Sequence, residues 1–323
     1  MPTTTIYFAT NRKPNKSNAA LFGKGFSKEG LGDVKFGSAD VIDGNLEKAS
    51  IKILSNNPKQ GSKSLFSELR KKMKLDQVDS LIFIHGFNVS FADAITSAAK
   101  MAEKYAEKNY KPNIFVFSWP SDGSMSSYFN DRHDAEASGY AFARGLMKFS
   151  AFLKSCEPDE VCKQKVHLMA HSMGNYVLRH ALQQAQKISG GAPLARIFDE
   201  VILTAADEDD DAFEYDYKFS QLHRLAQRIT VYFNSGDLAL TISDAAKGNP
   251  DRLGHDGPNK PHDISAKVVL VDASSVVGGI AEHSYHQEED SVITDIIAVL
   301  HGEGSELISG RDYVPHANKF KLK

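Results

Sequence analysis

Residues Lys165–Tyr176 read Lys-Val-His-Leu-Met-Ala-His-Ser-Met-Gly-Asn-Tyr: an apolar strand, a five-residue turn centred on Ser172, and the start of a helix. A serine hydroxyl becomes a useful nucleophile when a base takes its proton and the backbone holds it clear of its neighbours. A strand–turn–helix with small residues flanking the serine meets the second need and is the context of a nucleophile elbow. The N–H of Met173, at the helix start, can then face a developing oxyanion. Ala170 stands where glycine is usual; alanine is small, so a tighter turn of the same kind is expected. The competing role, a helix N-cap serine, leaves the buried strand before it unexplained.

Leu81-Ile82-Phe83-Ile84-His85-Gly86-Phe87-Asn88 closes a second apolar strand upstream. A His-Gly turn here can supply the other oxyanion donor, the N–H of Phe87, with the Phe87 ring lining an acyl pocket. Alone it would be an ordinary strand end with a packed His85. An acid and then a base should follow the serine in the chain. Asp237, in Asn234-Ser235-Gly236-Asp237, ends a strand two strands beyond the elbow, and His283 lies in the loop after the next strand. Asp207, ending the strand directly after the elbow, is the second choice of acid. His286 is the second choice of base. His171 is expected to point away from Ser172, and His255 and His262 to lie on the surface. The acidic run Asp207–Asp211 has no calcium-loop spacing and is read as a solvated helix start. No His/Asp spacing indicates a metal, and no cofactor motif is present.

The elements that must position these residues alternate. Short apolar runs at Ser80–Ile84, Asn113–Ser118, Lys165–Ala170, Glu200–Ala205, Arg228–Asn234 and Lys267–Val271 predict strands covered on both faces. Between them, Phe91, Ile95, Ala98, Ala102 and Tyr105, and again Val177, Leu178, Ala181, Leu182 and Ala185, form apolar stripes at helical spacing. Ser90 and Asp93 make a capping box for the first of these. This predicts an α/β chain: a mostly parallel sheet with helices on both faces. Thr5–Ala9 and Val34–Ile42 are expected as its antiparallel N-terminal edge, with a polar loop over Asn15–Gly32 and a first helix over Ser64–Lys74. Residues 1–302 form one domain. Ser121–Lys154 is either a single long crossover helix or in part a lid, and 303–323 is a C-terminal tail packed only in part. Trp119 is either core or pocket wall, and Tyr176 either reaches the cleft or packs beneath it.

These residues resemble the serine-hydrolase members of the α/β-hydrolase superfamily. More narrowly, they resemble a bacterial family catalogued as a domain of unknown function. The matching stretches are His85–Asn88, Phe117-Ser118-Trp119-Pro120-Ser121, Ala170–Asn175, Ser235-Gly236-Asp237 with Leu240, Val271–Ser274 and His283-Ser284-Tyr285. Thr5–Arg12 matches the first strand. The resemblance implies an α/β-hydrolase fold with Ser172 as nucleophile, Asp237 as acid and His283 as base. It does not imply a substrate.

The 323 residues carry a formal net charge of −3, which gives no footprint for nucleic acid or an anionic membrane. No apolar run approaches the roughly 20 residues of a membrane span. The amino terminus lacks the pattern of a signal peptide, so a cytoplasmic protein with Cys156 and Cys162 as free thiols is expected. For the same reason Asn88-Val89-Ser90 is an accidental match to a glycosylation acceptor. The expected substrate is a small to medium neutral ester, bound with His85, Trp119 and Tyr176 as further pocket residues. A thioesterase, amidase or acyltransferase would use the same three residues. A non-catalytic binding module that keeps the elbow is a reading of another class.

Overall fold

The computed structural model describes residues 3–15, 21–54, 58–122, 127–156, 162–192, 194–240, 251–278 and 283–323. The N-terminal part comprises β1 (Thr3–Thr10), β2 (Arg12–Pro14), β3 (Phe22–Phe26), β4 (Lys35–Ile42), β5 (Asn45–Ile53) and α1 (Pro58–Asp76). Alternation then sets in with β6 (Ser80–Ile84), α2 (Phe91–Glu107), β7 (Asn113–Ser118), α3 (Tyr128–Lys154), β8 (Val166–His171) and α4 (Gly174–Ile188). The chain continues through β9 (Phe198–Thr204), β10 (Ala226–Phe233), β11 (Val268–Asp272), α5 (Asp290–His301), β12 (Arg311–Val314) and β13 (Lys319–Leu322).

One large sheet runs in the order β12-β13-β11-β10-β9-β8-β6-β7-β1-β4-β5. From β13 to β1 every neighbouring pair is parallel, and the three outer pairings, β12–β13, β1–β4 and β4–β5, are antiparallel. This is the mostly parallel sheet with an antiparallel N-terminal edge that the patterning predicts. Strand side chains alternate between two cores. Ile82 and Ile84 of β6, Leu168 and Ala170 of β8, and Val231 of β10 join residues of α3 and α4 on one face. Leu81, Phe83, Met169 and Tyr232 join residues of α2 and α5 on the other. A strand buried on both faces has no polar side to show, which is why these runs look apolar throughout.

α2 starts where its capping box predicts: Ser90 accepts from the N–H of Asp93 while the Asp93 side chain accepts from the N–H of Ser90. Its stripe residues Phe91, Ile95, Ala98 and Tyr105 are buried. α3 runs unbroken through Tyr128–Lys154, so that part of the crossover is one long helix; residues 123–126 lie outside the described residues.

Three features differ from the sequence reading. The segment after Gly302, expected as a tail packed only in part, forms strands β12 and β13, and its Phe320 and Leu322 are buried. The expected polar loop before Gly32 contains β3, paired with β2; residues 16–20 of it lie outside the described residues. β5 extends the N-terminal edge, its Lys and Glu side chains suiting an exposed edge strand. Cys156 and Cys162 are free thiols.

Candidate active site

Because β6, β8, β9 and β10 are parallel, their carboxyl ends share one rim of the sheet. His85, Ser172, Asp207 and Asp237 all lie just beyond those ends, where open α/β sheets gather ligands.

Ser172 sits in the turn from β8 to α4 with φ 53, a left-handed conformation uncommon for a residue with a side chain. The turn is held from all sides. The Ser172 N–H donates to Thr204 O at 3.0 Å, and Ser172 O accepts from the N–H of Asp207 at 3.2 Å. The fully buried Asn175 donates its amide to Ala170 O and Ser172 O, both at 3.0 Å. Gly174 allows the close approach of helix and strand: a Cβ there would stand 2.5 Å from Ile84 O. Strain of this kind persists only where the surroundings over-determine it, and here they do.

The turn after β6 lies directly against the elbow. A Cβ on Gly86 would stand 2.8 Å from Ser172 Cβ and 3.1 Å from the His171 ring. Among the described residues neither the Phe87 N–H nor the Met173 N–H has a hydrogen-bond partner, the condition two oxyanion donors must satisfy. Gly86→Ala is therefore expected to push the Phe87 turn off the serine. It should lower kcat for an ester about 10²-fold with little change in KM; steady-state kinetics beside a melting curve checks this.

The acid and base meet. His283 Nδ1 lies 2.7 Å from Asp237 Oδ2, with Asp237 fully buried. Asp237 Oδ1 accepts from the N–H groups of Ala239 and Leu240 at 3.1 and 3.3 Å. The competitors are engaged elsewhere. Asp207 accepts from the Tyr128 hydroxyl at 2.7 Å and faces Arg132 and Arg252 at 3.9 and 3.8 Å. His286 is buried against Phe83 and His171, ring centroids 5.7 and 4.4 Å away.

His171 packs against the base loop. Its ring lies 4.8 Å from that of His283, and its Nε2 is 3.0 Å from His283 O. Tyr285, also buried, accepts from the N–H of Ala205 at 2.7 Å and donates to Tyr232 O at 3.0 Å. These two residues tie the base loop to the ends of β8, β9 and β10; residues 279–282 before it lie outside the described residues.

His85 and Trp119 lie beneath the turn rather than in an open pocket wall. Their rings stack at 5.2 Å, and Trp119 Nε1 donates to His85 O at 2.8 Å. Both are buried, each directly following a central strand. Tyr176 packs between Arg132 and Arg179, whose guanidinium carbons lie 3.8 and 4.7 Å from its ring centroid. The acidic run is likewise neither a helix start nor solvated at its beginning: Asp207 and Glu208 are buried, and Glu208 pairs with Arg179 at 2.9 Å. Asp209 pairs with Lys218 and Arg252. Among the described residues no group of His, Cys, Asp and Glu could hold a metal ion.

Sequence reasoning gave no role to Arg12. Its buried guanidinium donates to Ser118 Oγ at 3.0 Å, Ser121 O at 3.2 Å and Val89 O at 2.7 Å. Asp131 accepts from the Ser121 hydroxyl, from the N–H of Asp122 at 2.8 Å and from the N–H of Asn88 at 3.4 Å. Together they buttress Asn88 and Val89, directly after Phe87. A lone Arg beginning a strand next to an apolar run was the available signal.

Burial sets the histidine electrostatics. It pushes His85 and His286 down to about 3, and His171 well below the ordinary imidazole value. For His286 the nearby His283 and Lys100 add to the effect. The unfolded chain takes up these protons below about pH 6.5 while the folded chain does not, so stability is full above that pH and falls on acidification. Each such ring contributes up to about 1.4 kcal/mol per pH unit. Neither His286 ring nitrogen has a hydrogen-bond partner. His286→Phe is thus expected to flatten the decline between about pH 6.5 and 5 by roughly that slope; urea unfolding across the range reads it.

A family model described as alpha/beta hydrolase of unknown function (DUF900) matches residues 61–300. The chain belongs to this family. It is thus a member of the α/β-hydrolase superfamily, and the sheet above is its fold. An uncharacterized protein, alr1448 of Nostoc sp. (strain PCC 7120), is 29% identical over 143 residues, 38% of this chain and 35% of that relative. The chain therefore spans about a third of that relative's length. Among solved structures, a protein of Lactobacillus plantarum WCFS1 described as a cell surface hydrolase is 12% identical, with TM-score 0.34 over 70% of this chain and 93% of the other. Trichoderma reesei cutinase in complex with a phosphonate inhibitor is 12% identical, with TM-score 0.28 over 75% and 90%.

Proposed function

We propose that this DUF900 member is a serine esterase that cleaves small to medium neutral carboxylic esters through an acyl-enzyme on Ser172. The observation that carries the reading is the buried Asp237 carboxylate bonded to His283 at 2.7 Å on the same rim as a serine in a left-handed turn. His283 takes the Ser172 proton as the oxygen attacks the ester carbonyl, and the N–H groups of Phe87 and Met173 receive the charge that collects on the carbonyl oxygen. His283 then gives the proton to the departing alkoxide. Water, with His283 again as base, releases the acid. Asp237 holds the imidazole by Nδ1, which leaves Nε2 for the proton transfers, and stabilises the imidazolium.

An uncharged, partly apolar substrate suits the aromatic side chains by the oxyanion turn. Phe87 packs edge-on against Tyr128 at 5.5 Å, and Tyr128 against the exposed Phe129 at 5.6 Å. The test is a panel of p-nitrophenyl esters from acetate to dodecanoate, run beside matched thioesters and anilides. The reading expects ester kcat/KM to exceed the other two classes, with an optimum at short to medium acyl chains. Faster thioester or anilide cleavage would replace the esterase assignment and keep the nucleophile; no turnover of any class would remove the enzymatic reading.

A further inference from the structure

Phe87 sits between two planar peptide units, the one that carries its own N–H and the next, which carries the N–H of Asn88. Holding the second limits how the first can swing about the shared Cα. Asn88 is itself in the left-handed region, with φ 61, a conformation that persists only where the surroundings impose it. The group that imposes it is Asp131, in the first turn of α3 and 43 positions further along the chain. Its Oδ2 accepts from the N–H of Asn88 at 3.4 Å and from the Ser121 hydroxyl, and the Ser121 oxygen in turn accepts from the N–H of Val89 at 3.1 Å. Its Oδ1 accepts from the N–H of Asp122 at 2.8 Å. One carboxylate thus reaches the two successive N–H groups after Phe87, the first directly and the second through a hydroxyl.

The carboxylate is costly where it stands. Asp131 and Ser121 are both buried. Burial, and then the charge of Asp122, push the Asp131 carboxyl above its ordinary value against the pull of its hydrogen bonds. A buried carboxylate is tolerated when its lone pairs are used, and fastening the start of α3 would use only the contacts to Ser121 and Asp122. The contact to Asn88 crosses to the oxyanion turn. The same turn of α3 also meets the elbow. The Tyr128 ring packs against that of Phe87 at 5.5 Å, and its hydroxyl donates to Asp207, whose N–H donates to Ser172 O.

We infer that Asp131 is a positioning residue for the reaction: through Asn88 and Ser121 it holds the Phe87 N–H where the oxyanion forms. This role rests on the serine-esterase reading. The experiment measures kcat and KM on a p-nitrophenyl ester, and Ki for an alkyl trifluoromethyl ketone, in the parent, Asp131→Ala, Asp131→Asn and Ser121→Ala. The Ser172 oxygen bonds to the ketone carbon, the serine proton passes to His283, and the former carbonyl oxygen becomes an oxyanion facing the donors. Ketone affinity therefore reads the donors directly. Moving a positioned group by about 1 Å costs up to about 10²-fold; Asp131→Ala should lower kcat by about that factor and leave KM within about twofold. It should weaken the ketone in proportion to kcat/KM. Asp131→Asn keeps one acceptor oxygen for Asn88 and Ser121 and should recover at least about tenfold of the loss. Ser121→Ala cuts only the route to Val89 and should cost about tenfold in kcat, with a parallel loss of ketone affinity; it decides the matter if Asp131→Ala fails to fold. Parental kcat and ketone affinity in a folded Asp131→Ala, or in Ser121→Ala where that variant decides, would overturn the inference and leave the esterase reading standing. A loss confined to KM or to thermal stability would do the same. A parent with neither ester turnover nor ketone binding would overturn the esterase reading, and the inference with it.

Discussion

Ser172→Ala is expected to lower kcat on an activated ester by about 10⁴–10⁶-fold, the loss typical of removing a nucleophile that acts as a unit with its base. The fold should survive, because the hydrogen bonds that define the turn use the main chain of Ser172 and the side chain of Asn175. Ser172→Gly separates strain from chemistry. At φ 53 a side chain costs about 1 kcal/mol that glycine does not, so this variant should be as inactive and about 1 kcal/mol more stable. Urea unfolding of the parent and both variants, beside steady-state kinetics, measures the two effects. An Ser172→Ala enzyme with parental turnover would place the chemistry elsewhere.

The second large effect discriminates between the two acids. Asp237→Asn keeps the shape of the Asp237–His283 contact but no longer favours the tautomer with a proton on Nδ1, and kcat is expected to fall about 10⁴-fold. Asp207→Asn should leave kcat within a few-fold. Its cost is structural: Arg132 and Arg252, which Asp207 faces at 3.9 and 3.8 Å, lose a buried counter-charge. A destabilisation of about 3 kcal/mol is the usual scale for breaking such a network. Kinetics paired with denaturant melts of both variants reads the contrast. Loss of kcat in Asp207→Asn with a parental Asp237→Asn would reverse the assignment.

The fold was legible where burial is symmetric. β6 and β7 begin and end where their apolar runs do, and β8 to β11 fall within two residues of theirs, because strands covered on both faces cannot hide polar residues within them. β5, β12 and β13 were not, because strands at or next to the edges of the sheet alternate charged with apolar residues and read as loops. The same division holds for the site. The elbow and the His-Gly turn are local patterns, and Asp237 and His283, placed by the strand ends they follow, lie 2.7 Å apart. What the sequence could not give is which groups support them from a distance. Arg12 reaches Val89 across 77 positions in the chain, and Tyr128 reaches Asp207 across 79. Pairing over such separations leaves no local periodicity. His171 shows the limit most clearly: the elbow gives only its direction away from Ser172, and the tertiary packing alone brings it against His283.

The most direct test of the central claim is labelling of the intact chain with a serine-reactive fluorophosphonate, read by intact mass and peptide mapping. The account predicts one adduct, on Ser172, absent in Ser172→Ala and strongly slowed in Asp237→Asn. An unlabelled but folded protein, or an adduct on any other serine, would contradict it.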